Sequence, residues 1–316
     1  MQRESYLLLI TSRVKFCLIG KIIDYYLCRQ GGRMETNMEQ ARMKELSLVA
    51  AKIRLGVIES THAAGAGHPG GSLSIADILA YLYFEEMAVY PDDPKNEDRD
   101  RFVLSKGHTA PALYSALALK GFFPFEELKT LRQHDSRLQG HPDMKGIPGV
   151  DMTTGSLGLG ISAACGMALA GKLNNKDYRV YTVLGDGESE EGQVWEASMF
   201  ANHYKLDNLC VILDYNKLQI DGPVAEVIGP APFESKLEAF GYNVITIDGH
   251  NFDEIEAAFK AAKACKGRPT AIVANTTKGK GVSFMENKVN WHGAAPKDPE
   301  YAIAIEELNA QIGGLQ

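Results

Sequence analysis

Between residues 38 and 64 apolar side chains return every three or four positions, at Leu46, Val49, Ala50, Ile53, Val57 and Ile58. That spacing lines one helical face and predicts a single long helix. It runs into Gly65-Ala66-Gly67-His68-Pro69-Gly70-Gly71, a stretch that reads as non-helical. A second helix is expected over 74–86, with Ser74 as its cap and Asp77 in its first turns. Residues 101–104 read as a short strand, and 110–121 and 125–133 as helices.

Past residue 150 the pattern alternates. A small-residue helix is expected over 157–173, then an apolar run at 179–184 fit for a buried parallel strand. Helix 191–204, strand 209–215, helix 233–240, strand 244–248, helix 252–266 and strand 270–276 follow. Such alternation implies an α/β fold: a doubly wound parallel sheet with helices on both faces and right-handed crossovers. The tail, 281–316, reads as irregular except for a short helix near 303–308. No repeat, low-complexity tract or linker interrupts the chain.

The 316 residues are 45% hydrophobic and carry a net charge of −7. A chain of this size buries a sizeable core. Its acidic balance provides no global field for nucleic acid or an anionic membrane. Local basic pockets for phosphorylated small molecules stay open. Cys17, Cys28, Cys165, Cys210 and Cys265 are scattered, with no C-x-x-C pair. They make neither a disulfide framework nor a thiolate zinc site, and they suit a reducing cytoplasm. Residues 1–33 differ: six basic side chains stand against two acidic ones. Their uncharged runs are far shorter than the roughly 20 residues a membrane span needs. We read 1–33 as an N-terminal extension, with a start site placed too early, since Met34 and Met38 follow. A surface or partner-binding segment and a targeting segment are the alternatives.

Ligands of doubly wound sheets sit beyond the carboxyl ends of the strands. There the chain reads Gly185-Asp186-Gly187-Glu188-Ser189-Glu190-Glu191-Gly192. A dinucleotide fingerprint would carry glycine where Glu190 stands. Asp186 would repel a diphosphate unless a divalent cation lay between them. Asn216 follows the next strand and brings an amide oxygen to the same edge. With a backbone carbonyl and diphosphate oxygens, this donor set suits Mg²⁺ or Ca²⁺ and not zinc. The bland alternative is a pair of ordinary βα loops. His68, His108, His141 and His250 each follow a glycine, and His292 precedes one. Histidines in glycine loops are poor core fillers and well placed to face a ligand or move protons. His62, His134 and His203 fall on expected helices and read as surface or packing residues.

Six segments, in order, carry a resemblance. They are Gly67-His68-Pro69-Gly70-Gly71, Asp100-Arg101-Phe102-Val103-Leu104-Ser105-Lys106-Gly107-His108, Gly140-His141-Pro142, Thr153-Thr154-Gly155-Ser156-Leu157-Gly158, Gly185-Asp186-Gly187 with Asn216, and Val289-Asn290-Trp291-His292-Gly293. Over about 38–300 the chain resembles the N-terminal half of transketolase, most closely its split form. The resemblance implies a thiamine diphosphate-binding fold, with 34–316 as the diphosphate-binding domain. It implies that Asp186, Asn216 and the Leu218 carbonyl hold Mg²⁺, with Ca²⁺ or Mn²⁺ as substitutes. Gly187, His108 and His292 would contact the diphosphate. Gly155 and Leu157, with Ser156 between them, would line the aminopyrimidine. His68, His108, His141 and His292 would surround the reacting carbon and the sugar hydroxyls. Glu191 falls where the family has an acid between paired active sites.

The implied reaction moves a two-carbon ketol unit from a ketose phosphate to an aldose phosphate through a thiamine diphosphate ylide, as in the pentose phosphate pathway. Ser156 stands where many members have proline, Tyr215 where another polar residue is common, and Ala294-Ala295 where a lysine is expected. The pyrimidine-binding domain, its activating glutamate and the sugar-phosphate arginines are not found in this sequence. The resemblance therefore implies a heterotetramer with a C-terminal partner subunit, and inactivity of this chain alone. Alternatives are a half-subunit of another thiamine diphosphate enzyme, such as a 1-deoxyxylulose-phosphate synthase or 2-oxo acid dehydrogenase, a transketolase for a specialised sugar, and a non-enzymatic paralogue. Deleting residues 1–33 is expected to leave cofactor binding intact. A soluble, folded truncation that no longer takes up thiamine diphosphate in a titration would contradict this.

Overall fold

The apolar runs of the sequence become strands. The computed structural model describes residues 40–316, so the expected extension at 1–33 lies outside the described residues. The strands are β1 (Arg101–Leu104), β2 (Val180–Gly185), β3 (Leu209–Tyr215), β4 (Leu218–Gln219), β5 (Gly222–Pro223), β6 (Asn243–Asp248) and β7 (Thr270–Asn275). Five of them form one sheet in the order β1-β2-β3-β7-β6, parallel throughout. β4 and β5 pair as a small antiparallel hairpin, too short to announce itself in a hydrophobic pattern.

The helices are α1 (Gln40–Ala64), α2 (Pro69–Leu73), α3 (Ala76–Tyr81), α4 (Ala110–Lys120), α5 (Gly160–Leu173), α6 (Gly192–His203), α7 (Val224–Val227), α8 (Phe233–Ala239), α9 (Phe252–Ala264) and α10 (Asp298–Leu315). The chain steps β1, β2, β3, skips to the edge at β6, and returns to β7. Right-handed crossovers then place α5, α6 and α8 on one face and α9 on the other. The two cores confirm this. Tyr181, Val183, Cys210, Ile212, Ile272 and Ala274 pack with α1, α3, α4, α9 and α10. The alternate strand residues Val180, Leu184, Val211, Leu213, Ala271 and Val273 pack with α5, α6 and α8. A pleat of period two divides each apolar run between two faces. The described residues, 40–316, pack as one unit.

Several expectations need correction. The glycine stretch is not free of helix: α2 begins inside it, with Pro69 in the first turn, where its missing N–H costs nothing. The helix expected over 74–86 is broken into α3 and a π-helical turn, Leu82–Glu86. Ser74 caps neither; it is buried and donates to Asp214 Oδ2 at 2.8 Å. The tail is not irregular to its end, because α10 runs for 18 residues. Only Ala304 and Leu308 of α10 are buried, so its helical face is thinly written. Residues 125–133 shorten to a 3₁₀ turn, Phe125–Thr130, and His134 lies in an exposed turn. His62 and His203 are on helices as expected, and His62 stacks on Tyr301 with ring centroids 3.9 Å apart.

One buried polar network joins these layers. Asp77 on α3 accepts from Arg54 on α1 and lies 2.7 Å from His250 Nδ1, just past β6. The other ring nitrogen of His250 accepts from Thr277 N at 2.9 Å. Burial pushes the Asp77 carboxyl up, but Arg54 and then His250 outweigh it and hold it below its ordinary value. Its stabilisation is therefore present above the ordinary carboxylate range and is lost as pH falls through the lowered value. Asp77→Asn leaves Arg54 buried without its counter-charge, and is expected to cost about 3 kcal/mol or more at pH 7. Urea unfolding across pH checks this: the gap to wild type should narrow only in acid.

Candidate active site

The carboxyl ends of four strands open into one cavity of about 280 Å³. β1 delivers Lys106 and His108, β2 delivers Asp186 and Gly187, β3 delivers Asn216, and β7 delivers Lys278. His68 enters from the turn before α2, and His292 from the 3₁₀ turn at Val289–Trp291. Gly155 and Leu157 form part of the wall. Glycine is required where the wall is thin. A methyl group on Gly187 would come within 2.9 Å of Gln219 Cβ, and one on Gly107 within 2.8 Å of the Thr154 backbone.

The acidic corner holds Asp186, Asn216 and the Leu218 carbonyl. Asp186 is 2% exposed. Its carboxylate accepts from Gly187 N at 2.8 Å and from Lys217 N. Burial, then the nearby Asp214 charge, raises it to about 7. Asn216 donates through Nδ2 to Asp214 Oδ2 at 2.7 Å. A carboxylate only accepts, so this contact fixes the amide orientation. Asn216 Oδ1 is left facing the turn, where it accepts from Leu218 N at 3.2 Å. The Leu218 carbonyl accepts from Lys278 Nζ at 2.9 Å. Carboxylate, amide and peptide oxygens are hard donors with lone pairs to spare, and they fit Mg²⁺ or Ca²⁺. Among the described residues no cluster of three or more His, Cys, Asp or Glu could hold a metal ion. A cation here would draw on amide, peptide and ligand oxygens.

The opposite wall holds three imidazoles. His68, His108 and His292 lie with ring centroids 5.0 to 5.5 Å apart. Burial and then Arg132 lower His68 to about 4. Burial and then Lys278 lower His292 to about 3. Burial and then Lys106 hold His108 well below the ordinary value. All three are neutral at pH 7, able to accept a proton or donate a hydrogen bond. His68 Nδ1 is buried without a hydrogen-bond partner.

Not every expected residue joins them. His141 is exposed and off the cavity wall, though its ring packs 3.3 Å from where a Gly155 side chain would start. It is a rim residue. Ser156 is exposed, with its neighbours on either side forming the wall. Glu191 is exposed at the start of α6, against Gly158. His250 faces no ligand: Asp77 and Thr277 take both its ring nitrogens. Conversely, Lys106, Glu188 and Lys278 line the cavity, and Asp214 lies behind it. Sequence reasoning passed over all four. Their place just past the ends of β1, β2 and β7, or at the end of β3, was the available signal. Lys278 Nζ also lies 3.0 Å from His292 Nδ1. Burial lowers this amine to about 8.

Comparison with known proteins identifies the family. The transketolase thiamine diphosphate-binding domain family matches residues 46–312. The 6-deoxy-6-sulfo-D-fructose transketolase subunit of Clostridium sp. (strain MSTE9) is 49% identical over 267 residues, 84% of this chain and 97% of that protein. An apulose-4-phosphate transketolase subunit of Phocaeicola vulgatus is 42% identical, covering 87% of this chain and 98% of that one. Human transketolase is 46% identical over 87% of this chain but only 44% of its own length. The crystal structure of Campylobacter jejuni transketolase superposes with a TM-score of 0.79 at 33% identity, over 85% of this chain and 43% of that one. The chain thus spans less than half of the single-chain transketolases it matches. It belongs to the transketolase family and corresponds to the thiamine diphosphate-binding, N-terminal half of such an enzyme.

Proposed function

We propose that this chain catalyses reversible transfer of a two-carbon ketol unit from a ketose to an aldose, as one half of a two-subunit transketolase. The observation that carries the reading is a single cavity with Asp186, Asn216 and the Leu218 carbonyl on one wall and three neutral imidazoles on the other. Bound thiamine diphosphate supplies the chemistry of breaking and remaking the carbon–carbon bond beside the ketose carbonyl. The protein supplies the rest. Asp186, Asn216 and the Leu218 carbonyl would hold Mg²⁺, or Ca²⁺ or Mn²⁺ in its place, against the diphosphate. Lys278 adds a positive charge beside those anionic oxygens. Gly155, Leu157 and Gly187 leave room for the cofactor rings and phosphates. His68, with its unpartnered Nδ1, and His292 would accept and return protons on sugar hydroxyls. His141 reaches the sugar only from the rim.

The partner subunit would carry the pyrimidine-binding domain, and the assembly would be a heterotetramer in the cytoplasm. Two observations support a partner. The two relatives named as subunits are matched over nearly their whole length. Leu157 and Ile220 line the cavity yet are 36% and 62% exposed, leaving apolar wall for another chain to cover. The substrates would be anionic sugars. Phosphorylated ketoses of the pentose phosphate kind are the first to assay. A sulfonated ketose is the second, favoured by the similarity to the 6-deoxy-6-sulfo-D-fructose subunit.

Tagging the chain in its native host should recover thiamine diphosphate and a stoichiometric second subunit. The pair should transfer ketol units, and the pure chain should not. Turnover of pyruvate without a sugar donor would move the assignment to another thiamine diphosphate enzyme. In the assembled pair, Asp186→Ala is expected to abolish Mg²⁺-dependent cofactor binding, followed by fluorescence titration, with little loss of fold. His68→Ala should spare that binding and slow transfer about 100-fold, the scale of one acid–base group. Wild-type rates in either variant would show that the site is misplaced.

A further inference from the structure

Glu188 sits just past the Gly185-Asp186-Gly187 turn and is 3% exposed. Its carboxylate accepts three hydrogen bonds from three separate segments. Oε1 takes Ser105 Oγ at 2.5 Å and Gly158 N at 2.9 Å, and Oε2 takes Gly185 N at 3.0 Å. Ser105 follows β1 and precedes Lys106. Gly185 ends β2 and precedes Asp186. Gly158 closes the loop whose Gly155 and Leu157 form the opposite side of the cavity.

At its start the loop is tied to β1 by Thr154 Oγ1, which donates to the Leu104 carbonyl at 2.7 Å. Across 155–158 the Gly158 amide is the one backbone group among the described residues that bonds to the sheet edge. Gly158 also has a φ of +79°, which a substituted residue would adopt only under strain. Glu188 forms no salt bridge among the described residues, so its burial is compensated by these three donors. A buried carboxylate in this position is expensive unless the segments it joins must be held together.

We propose that Glu188 is a positioning residue that ties the 155–158 wall to the Gly185–Gly187 turn, so that both ends of the cofactor cradle stand in register before the cofactor arrives. The inference rests on the cavity being the thiamine diphosphate site. Glu188 touches no reacting atom in this role; it acts through Gly158 and Gly185.

The test uses two readouts on the full chain assembled with its partner. In the cofactor-free state, Glu188→Ala should speed hydrogen exchange at Gly158 and Gly185 about tenfold or more, the scale of a lost charge-assisted bond. Amides of β3 and β7 should keep their protection. Thiamine diphosphate with Mg²⁺ should then half-saturate at about tenfold higher concentration, while kcat at saturation falls much less. Glu188→Gln keeps an oxygen for Ser105 and Gly158 but turns an N–H toward Gly185. It should restore protection at Gly158 and not at Gly185. If Glu188→Ala does not fold, Glu188→Gln is read alone, with faster exchange expected at Gly185 and kept protection at Gly158. Unchanged exchange at Gly158 in Glu188→Ala, or at Gly185 in Glu188→Gln, would overturn the proposal. So would exchange that rises evenly across the sheet, or a fall in kcat with cofactor affinity unchanged. A wild-type pair that binds no thiamine diphosphate would sink the functional reading instead, and the exchange data would still judge the tie.

Discussion

Asp214, the next-to-last residue of the central strand, has no solvent exposure, and the geometry of the site depends on it. Its Oδ2 accepts from Ser74 Oγ at 2.8 Å, Lys106 Nζ at 2.6 Å and Asn216 Nδ2 at 2.7 Å. Its Oδ1 accepts from Thr276 Oγ1. Those four donors come from the segment between α2 and α3, the end of β1, the turn after β3 and the end of β7. Burial pushes this carboxyl up, but Lys106 first and the hydroxyl donors after it hold it below its ordinary value. A buried ion pair adds little net stability over apolar packing, while removing one partner costs several kcal/mol. What the Asp214–Lys106 pair provides is placement. It orients the Asn216 amide, anchors the start of the histidine-bearing β1 loop, and fixes the chain just before Lys278.

Burial comes first in setting the charge of the cavity, and the same pair adds to it. Asp214 raises the neighbouring Asp186 carboxyl, and Lys106 lowers His108. Lys278 and Arg132 do the same to His292 and His68. Lys106 is taken by Asp214 and the Gly71 carbonyl, which leaves Lys278 as the buried cation on the wall. The site thus carries the Asp186 and Glu188 carboxyl groups, the Lys278 amine, and imidazoles kept uncharged by burial. Neutral imidazoles matter here, because a protonated ring has no lone pair with which to take a proton.

Much of this was legible in the sequence, for a physical reason. Strands buried on both faces must be continuous apolar runs, so β2, β3 and β7 were plain. Ligands of such sheets lie past the carboxyl ends, so Asp186 and Asn216 could be picked out from position, and His108 from its neighbouring glycine. α10 was mostly missed because it buries only two residues, and the start of α3 was misplaced because the Ser74 hydroxyl serves Asp214 instead of a helix N-terminus. His250 was misjudged because a neighbouring glycine says nothing about a partner, Asp77, that lies far away in sequence. Lys106, Glu188 and Lys278 were passed over because a long side chain can point to solvent or into a cavity. Only the assembled sheet decides which.

The division between fixed and variable parts also bears on sugar choice. Asp186 and Asn216 sit at strand ends where Asp214 and Glu188 bond the adjoining chain, so a small shift would disturb several bonds at once. His141 and Gly293 instead sit on loops at the rim, where substitution disturbs little of the core. Relatives named for 6-deoxy-6-sulfo-D-fructose and for apulose-4-phosphate are similar to this chain along nearly their whole length. One scaffold can therefore keep its cofactor cradle while rim residues, and whatever chain covers Leu157 and Ile220, retune the fit to the sugar. On that argument the donor's identity is written less in the strand ends than in the residues that meet across the open side of the cavity.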